Sequence, residues 1–510
     1  MLASATSIAT RWFPAGEAPR RVDSPTAVWP GVVTVLRQGL ATRLHRAADR
    51  VACRAVADQL ACHVEVEPDA AMVDDMMARA VAAQRAFETW TEEQVDALLQ
   101  EIVDTIAEHA EELARASVEE TGMGVVEDKV AKILFFSRGT YRTLAGQPGV
   151  GVVHRDEQSH VTEIATPMGV VLGLIPVTSP VIVLVFKTLI CLKTRNALIA
   201  SCHHGALGVG GRVEELIQAA LRCHGAPVDL VQCIRGRTSR KLTSLFMEHK
   251  DTAFILATGG PNMVKAAYSS GTPAIGVGKG NAPAWICSDA DVEGAARTVI
   301  NSKSFDNGVL CGSENHLVVD TSVREAFISA LRENGAAVLA PEEIGRLTSH
   351  AVDSQTGHLR PEVIGQPAQH IADRAGIRRD RPIRLLVVPV DQDELRGPYG
   401  GEKLAPILSL FTVDGREEGL ALCRRLLDRE GAGHTAIVHT QDPRLAERYG
   451  LEMPASRILV NTPGSQGCCG ISTGLTPSAV LGCGTLGGGS TSDNVTYTHL
   501  RNIKRVAYAL

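Results

Sequence analysis

The stretch TPMGVVLGLIPVTSP, residues 166–180, decides the fold class of this chain. It lies within residues 164–186, a run of 23 residues without a charge that is long enough to cross a membrane as a helix. Pro176 and Pro180 would break such a helix in its middle. We therefore predict a buried parallel strand at residues 170–175, then a loop, then a helix that starts near Pro180.

Strands and helices alternate around this strand. Two helices, residues 71–87 and 91–121, are predicted before it from apolar residues spaced three and four apart. The alternation after it predicts a parallel α/β sheet covered on both faces, and a second α/β region runs from about 290 to 465. Further strands are predicted at 197–201, 228–234 and 253–258, and further helices at 181–192, 213–223, 238–247 and 263–270.

The composition describes an ordinary globular protein and excludes several classes of function. The chain has 510 residues, of which 45% are hydrophobic and 21% charged, so we expect two or three domains. A net charge of −6 and only 4% aromatic residues favour neither nucleic acid nor membrane as a partner. Twelve cysteines form no Cys-x-x-Cys pair, so no metal site is predicted. No secretory signal is visible, which favours a reducing, cytoplasmic location.

Residues 1–65 differ in charge from the rest of the chain. They contain eight arginines and no lysine. We interpret them as an N-terminal extension that is disordered or loosely docked. An organelle or microcompartment targeting segment remains an alternative, because the stretch is Arg-rich and poor in acidic residues.

One cysteine is placed as a nucleophile would be. The stretch NSKSFDNGVLCGSEN, residues 301–315, carries Cys311 in a loop flanked by Gly308 and Gly312. Glycine allows the backbone to approach a small substrate closely. Attack requires a thiolate, which backbone N–H groups around a loop can favour. A lone loop cysteine is more often inert, so this pattern alone does not decide the role.

The same stretch resembles the catalytic-cysteine segment of the aldehyde dehydrogenase superfamily, specifically its coenzyme A-acylating branch. The similarity covers roughly residues 70 to 508 and is especially close to the aldehyde half of bifunctional aldehyde–alcohol dehydrogenases. The other matching segments, in order, are ETGMGVVEDKV (120–130), TPMGVVLGLIPVTSP (166–180), LKTRNALI (192–199), ATGGPNMVKAAYSSGTPAIGVGKGNAP (257–283), GEKLAPIL (401–408), GAGHTA (431–436), NTPGSQG (461–467) and LGCGTLGGGSTSDNV (481–495).

This resemblance implies a domain organisation. Residues 66–288 are expected to form a Rossmann-type dinucleotide-binding domain, and 289–465 an α/β catalytic domain that carries the nucleophile. Residues 466–510 are expected to line the pocket and to contribute to oligomerisation, as a homodimer or homotetramer.

The resemblance also implies the chemistry of Cys311. It would attack an aldehyde to form a thiohemiacetal, which passes hydride to a nicotinamide and leaves a thioester. The oxyanion of the adduct needs donors, for which the backbone N–H of Cys311 and the side chain of Thr178 are candidates. Acylating relatives usually carry Asn where this chain has Ser179. Thr178 and Ser179 can alternatively be caps of the following helix.

A general base of the hydrolytic branch is missing here. Hydrolytic aldehyde dehydrogenases use a glutamate in a segment like ELGGK to activate water. The matching run here, GVGKGNAP at residues 276–283, has no carboxylate near Val277. A thiol is then the natural acceptor, and the product is acyl-CoA. The alternative is a hydrolytic enzyme that uses another carboxylate, such as Asp306 or Glu314.

The resemblance assigns a dinucleotide site to ATGGPNMV, which follows a strand and opens a helix. It also assigns Glu402, in GEKLAP, to the hydroxyls of the nicotinamide ribose. NAD is the expected cofactor. NADP is also possible, because His204 stands where NAD-specific relatives of the hydrolytic branch often have Glu, and nothing there repels a 2′-phosphate. The expected cofactor-binding residues are Ser201, Thr258, Gly259, Gly260 and Glu402.

His434, in GAGHTA, is expected to assist thiol exchange, because the ordinary pKa of histidine suits deprotonation of a thiol. The alternative is a packed structural histidine. Cys468 and Cys469 are unusual for this family. Packing is the favoured interpretation for them, although they can also narrow the pocket or form a disulfide with Cys311 under oxidation.

These expectations combine into one functional hypothesis. The protein is expected to convert a short-chain aldehyde, CoA and NAD(P)⁺ to acyl-CoA and NAD(P)H, reversibly, as an acetylating acetaldehyde dehydrogenase does. Its partners are then small molecules, the aldehyde and CoA. The alternatives are a hydrolytic dehydrogenase that releases a free acid, and a structural subunit that has lost activity. The identity of the aldehyde does not follow from the sequence.

Overall fold

The computed structural model describes residues 68–236 and 239–510, so the predicted extension at 1–65 lies outside the described residues. Three sheets surrounded by helices make up the described part, a mixed α/β fold as predicted. None of the helices described there has both the length and the hydropathy needed to span a bilayer.

The strands are β1 (Gly151–Asp156), β2 (Val161–Pro167), β3 (Val170–Ile175), β4 (Ala197–Cys202), β5 (Val231–Cys233), β6 (Thr252–Thr258), β7 (Ala274–Val277), β8 (Ala282–Ile286), β9 (Glu314–Asp320), β10 (Ala336–Val338), β11 (Leu385–Pro389), β12 (Ile407–Val413), β13 (Gly433–His439), β14 (Ala455–Val460) and β15 (Arg501–Ala507). The helices are α1 (Pro68–Phe87), α2 (Glu92–Glu108), α3 (Ala110–Thr121), α4 (Val126–Leu134), α5 (Thr140–Leu144), α6 (Pro180–Lys193), α7 (Leu207–Cys223), α8 (Arg240–Glu248), α9 (Pro261–Ser269), α10 (Val292–Ser304), α11 (Arg324–Glu333), α12 (Pro341–Ala351), α13 (Ala368–Arg374), α14 (Gly415–Arg429), α15 (Pro443–Glu452) and α16 (Gly464–Gly467).

The first sheet is the Rossmann-type sheet that the sequence predicts. Its five strands run in the order β5-β4-β3-β6-β7, and every neighbouring pair is parallel. The central strand β3 is buried along its whole length. The chain adds β4 and β5 on one side of β3, then returns to the other side with β6 and β7. Ligands of such sheets bind where the order reverses, beyond the carboxyl ends of the strands. The loops after β3 and β6 therefore border a binding crevice.

The second sheet is parallel throughout and has seven strands, in the order β10-β11-β12-β9-β8-β13-β14. Its central strand β9 is buried at every residue and follows the Cys311 loop. β8 pairs with β9 and β13 here, although the sequence analysis placed it within the segment 66–288. The chain thus changes sheets near residue 280. The functional domain boundaries themselves stay a prediction.

The third sheet is antiparallel and joins the C-terminal strand to an earlier hairpin. Its order is β1-β2-β15, and β15 pairs with β2 from Arg501 to Ala507. Most residues of β15 are exposed. β15 therefore pairs with β2, the strand that directly precedes β3 in the sequence.

Two predicted elements differ from the structure. The single helix predicted at 91–121 is two helices, because His109 has non-helical backbone angles, φ −96° and ψ 11°. Its ring Nδ1 lies 2.8 Å from the carbonyl oxygen of Thr105. Buried apolar residues continue on both sides of the break, so their spacing does not reveal it. The predicted strand 228–234 begins as a 3₁₀ turn, Val228–Leu230, and only Val231–Cys233 pairs.

Asn196 holds the start of β3 against two other segments. Its buried side-chain Oδ1 accepts hydrogen bonds from the backbone N–H groups of Met168, at 2.7 Å, and Gly169, at 2.9 Å. Its Nδ2 donates to Thr194 Oγ1 and to the carbonyl oxygen of Leu500, both at 2.7 Å. Both Oδ1 and Nδ2 of the side-chain amide thus form two hydrogen bonds each, which fixes the start of the central strand of the first sheet.

We expect Asn196→Ala to lower the free energy of unfolding by about 2–4 kcal/mol, because it strands buried donors and acceptors. The measurement is urea-induced unfolding followed by circular dichroism. The exposed Asn502, whose Nδ2 donates to the carbonyl of Pro167 at 3.2 Å, is the matched control. Asn502→Ala should change stability by less than about 0.5 kcal/mol. Equal effects of the two substitutions would contradict this account.

Candidate active site

A cavity of about 630 Å³ lies beyond the carboxyl ends of the first sheet. β4 and β6 end at its wall and supply Ser201 and Thr258, and the loop after β3 supplies Thr178. The Cys311 loop and Glu402 close the other side. Of the expected site residues, Cys311, Thr178, Ser201, Thr258, Gly259, Gly260 and Glu402 line this cavity, and His434 lies behind it.

The glycines near Cys311 are needed for close packing. A Cβ atom on Gly280 would lie 1.7 Å from the carbonyl oxygen of Cys311. A Cβ atom on Gly312 would lie 2.1 Å from Cys468 Sγ. Side chains at these positions would therefore push the nucleophile loop out of place. Gly308, with φ +72°, turns the chain towards Cys311.

Cys311 and His434 are in contact. Nε2 of His434 lies 3.2 Å from Cys311 Sγ, and Nδ1 lies 2.9 Å from Oγ1 of Thr435. When Nδ1–H donates to Thr435, Nε2 is left to accept the thiol proton. His434 is fully buried on β13, and its carbonyl oxygen accepts from Arg457 Nε at 3.0 Å. The sequence predicted this histidine as a thiol base, and the structure brings it to the nucleophile.

Electrostatics favour the neutral forms of both groups. Burial, together with the charge of Arg457, lowers the pKa of His434 to about 3, so its imidazole is neutral at physiological pH. Burial raises the pKa of the Cys311 thiol well above its ordinary value, with further contributions from Cys469 and Glu402. The resting nucleophile is therefore a thiol, and its proton must leave as it attacks.

Two carboxylates suggested as alternative bases are engaged elsewhere. Oε1 of Glu314 accepts the backbone N–H of Gly464 at 2.8 Å. Asp306 is fully buried and paired with Lys129, at 3.2 Å, and with Lys132. Neither Asp306 nor Glu314 lines the cavity. These two residues are therefore not placed to activate water there.

Glu402 is the carboxylate on the cavity wall. Its Oε1 accepts the backbone N–H of Gly280 at 3.0 Å. Burial, with the nearby charge of Glu430, raises the pKa of Glu402 to about 7, while Lys279 opposes the shift. The carboxylate is thus poised between its two protonation states near neutral pH.

The residues expected to hold a dinucleotide fit that role. Thr258 Oγ1 is buried and has no hydrogen-bond partner among the residues that the structure describes, so it is available to a ligand. A Cβ on Gly260 would meet nothing within 4 Å, which leaves room at the start of α9. Helix N-termini attract phosphate groups. The exposed rings of His203 and His204 lie near Ser201 in sequence, with centroids 4.0 Å apart and planes tilted by 36°.

The loop after β3 differs from one of the two sequence interpretations, in which Ser179 caps the following helix with its side chain. Ser179 occupies the position before α6 but makes no capping hydrogen bond with its side chain. Its Oγ instead accepts from Lys132 Nζ at 3.1 Å. Lys132 was not recognised from the sequence. It lies on α4, two residues beyond the segment ETGMGVVEDKV (120–130), and no motif in the sequence includes it.

Cys468 and Cys469 are both buried, and their Sγ atoms lie 3.5 Å apart. Cys469 lines the cavity, whereas Cys468 packs against Gly312. The pair therefore forms part of the wall behind the nucleophile.

A model of the aldehyde dehydrogenase family matches residues 49–480. The chain belongs to this family. It is 39% identical over 442 residues to the bifunctional aldehyde-alcohol dehydrogenase AdhE of Escherichia coli K12, an alignment that covers 86% of this chain and 49% of AdhE. The chain thus spans about half the length of that relative.

Two solved structures extend the comparison. The acetylating aldehyde dehydrogenase of Geobacillus thermoglucosidasius is 40% identical, with a TM-score of 0.84 over 87% of this chain and 97% of that one. A propionaldehyde dehydrogenase of Rhodopseudomonas palustris, with bound CoA and an acylated cysteine, is 25% identical, with a TM-score of 0.79 over 86% and 97% of the two chains. The family and the fold are therefore those inferred from the sequence.

Alkylation by iodoacetamide will report the protonation of Cys311. Because its pKa is raised, the rate should increase with pH without reaching a plateau between about pH 6 and 9. Peptide mass spectrometry of Cys311 provides the measurement, and the exposed Cys223 provides the internal control. A plateau below about pH 7 would show a stabilised thiolate instead.

Proposed function

We propose that this protein is a CoA-acylating aldehyde dehydrogenase. It converts a short-chain aldehyde, CoA and NAD(P)⁺ to acyl-CoA and NAD(P)H, and the reaction is reversible. The observation that carries the proposal is the 3.2 Å contact between Cys311 Sγ and His434 Nε2 at the end of a dinucleotide-type crevice. The names of the relatives support it, since they include an acetylating enzyme and one whose structure holds CoA and an acylated cysteine.

The first half of the reaction loads Cys311. Its Sγ bonds to the carbonyl carbon of the aldehyde as the thiol proton passes to Nε2 of His434. The carbonyl electron pair moves to oxygen and forms the oxyanion of a thiohemiacetal. Collapse of this adduct restores the carbonyl, breaks the carbon–hydrogen bond and leaves a thioester on Cys311. The function of the nicotinamide ring is to accept the hydride released in this step.

The cavity wall orients that dinucleotide. Thr258, Gly259 and Gly260 would contact its pyrophosphate at the start of α9, and Ser201 the adenosine side. Glu402, when ionised, would accept hydrogen bonds from ribose hydroxyls. NAD⁺ is the expected dinucleotide, and NADP⁺ remains compatible because His203 and His204 present no negative charge to a 2′-phosphate.

The second half transfers the acyl group. The thiol of CoA attacks the thioester carbonyl and loses its proton to His434. The carbon–sulfur bond to Cys311 then breaks, and the proton returns to the departing sulfur. The proton that His434 took from Cys311 in the first half is released to solvent, so the overall products are acyl-CoA, NAD(P)H and one proton.

The choice of thiol over water follows from what the cavity wall offers. Val277 lines the cavity. The hydrolytic branch of the family has its glutamate near this position, and this chain has no carboxylate there. His434 has a low pKa and is therefore a weak base. Such a base suits a thiol, whose pKa is near 8.5, far better than water. Much of the remaining wall is apolar, which suits a short aliphatic aldehyde.

The proposed organisation of the chain follows the same family. The segment 66–288 would bind the dinucleotide, 289–465 would carry the nucleophile, and 466–510 would line the pocket and support a homodimer or homotetramer. Cys469 and Leu481, which line the cavity, lie in this last segment.

Formation of NADH from acetaldehyde and NAD⁺ should require CoA. Purified protein is assayed by NADH absorbance with and without CoA, and the acyl-CoA product is identified by mass spectrometry. Cys311→Ala should abolish turnover because no thioester can form, whereas Cys223→Ala, at an exposed site, should retain it. Turnover without CoA, with release of a free acid, would instead establish the hydrolytic reaction.

Glu402→Gln should raise the KM for the dinucleotide by about tenfold, because a neutral amide accepts ribose hydroxyls less well than a carboxylate. In the wild type, kcat/KM for the dinucleotide should rise with pH through about 7, as Glu402 ionises. This rise should be absent from the variant. The exposed Glu362→Gln is the control and should retain it. A similar pH dependence in Glu402→Gln would assign the titration to another group.

A further inference from the structure

The side chain of Ser179 is held by an ammonium group rather than by the helix it precedes. Its Oγ accepts a hydrogen bond from Lys132 Nζ at 3.1 Å, and it makes no bond to the first turn of α6. Only 9% of Ser179 is exposed. A hydroxyl group carries one proton to donate besides its lone pairs. Since Lys132 occupies a lone pair, the proton of Ser179 remains available to a partner in the cavity that Ser179 lines.

Lys132 is fixed in place by a buried ion pair. Its side chain is 1% exposed and contacts Asp306 Oδ2, whose side chain is fully buried. Oδ1 of Asp306 accepts the backbone N–H of Val125 at 2.8 Å, and Lys129 pairs with the same carboxylate at 3.2 Å. An ammonium group that donates to a hydroxyl oxygen strengthens the hydroxyl as a donor in turn. Ser179 is therefore a polarised donor on a rigid support.

The contacts of Lys129 and Lys132 with Asp306 also join the loop after β3 to the Cys311 loop. The thiohemiacetal would form between these two loops. Asp306 belongs to the turn Phe305–Gly308, which leads into the Cys311 loop. Through Lys132, and through Lys129, which donates to the carbonyl of Thr178 at 3.5 Å, this turn is tied to the loop after β3. Ser179 and Cys311 line one cavity as a result.

We infer that Ser179 donates the side-chain hydrogen bond to the oxyanion formed on Cys311, with Lys132 and Asp306 as positioning residues. This inference rests on the proposed function. It revises the sequence-based assignment to Thr178, whose hydroxyl has no charged partner among the described residues. Relatives usually carry Asn at the position of Ser179, and here a hydroxyl polarised by a buried lysine takes over the donation.

The direct test compares Ser179→Ala with Thr178→Ala. Loss of one preorganised oxyanion donor lowers kcat by about 100-fold or more. We expect this loss, with the KM for aldehyde changed less than about threefold, for Ser179→Ala only. Ser117→Ala is the matched control, because the buried hydroxyl of Ser117 has no hydrogen-bond partner among the described residues and Ser117 does not line the cavity. A 100-fold loss in Thr178→Ala with normal kcat in Ser179→Ala would overturn the inference.

A second readout separates oxyanion stabilisation from damage to the loop. Alkylation of Cys311 by iodoacetamide forms no oxyanion, so its rate should be equal in the wild type and Ser179→Ala. Acylation of Cys311 by p-nitrophenyl acetate does pass through an oxyanion, and its burst of p-nitrophenolate should slow by about 100-fold in Ser179→Ala. Equal losses in alkylation and acylation would mean a merely structural role and would overturn the inference.

The acylation burst also separates this inference from the proposed function, since it needs neither aldehyde, CoA nor dinucleotide. A wild type that shows the burst but no CoA-dependent turnover would disprove the proposed function alone. A wild type without a burst would disprove the oxyanion role. Lys132→Met adds a double-mutant cycle: the part of its kcat loss that acts through Ser179 should disappear in the Ser179→Ala background. Additive losses would contradict the positioning role.

Discussion

A single buried carboxylate, that of Asp306, joins the parts of the chain that form the active site. Burying a charge is costly unless it is paired and hydrogen-bonded. Here Lys129, Lys132 and the backbone of Val125 supply the partners, and all three come from α4 or its approach. Asp306 itself adopts φ 48°, a left-handed conformation that a non-glycine residue keeps only where its surroundings hold it. The electrostatics of one side chain thus fix a strained turn, and the turn places Cys311.

Burial then sets the chemistry of the nucleophile. It raises the pKa of Cys311 and lowers that of His434, which keeps both groups neutral until they react. A thiol that is not ionised at rest is also protected from oxidation and from stray electrophiles. Proton transfer is therefore coupled to attack, and the 3.2 Å contact between Sγ and Nε2 makes this coupling direct. The site therefore gains selectivity, but it does not hold a reactive thiolate at rest.

The sequence predicted elements whose signals are local. The strand at 170–175 followed from its apolar run between prolines, and the structure has Val170–Ile175. The break at His109 was missed because apolar spacing continues across it. Cys311 and Glu402 could be named from short motifs, whereas their arrangement could not. Cys311 and His434 are 123 residues apart, and Lys132 and Ser179 are 47 apart, so only the tertiary structure reveals these contacts. No sequence motif at Lys132 or at Ser179 indicates that these two residues are in contact.

The second pair also bears on how a serine at position 179 would differ from an asparagine there. An asparagine amide carries its own donors and needs no support to present one. A serine hydroxyl rotates freely, and its single proton is aimed only when its lone pairs are occupied. Lys132 occupies one, and the ion pair with Asp306 holds Lys132 in place. Without that carboxylate the buried lysine would lose the ion-pair partner that positions it on the hydroxyl. The serine, the lysine and the aspartate are therefore one functional unit, and a substitution at any of them changes what the other two can do.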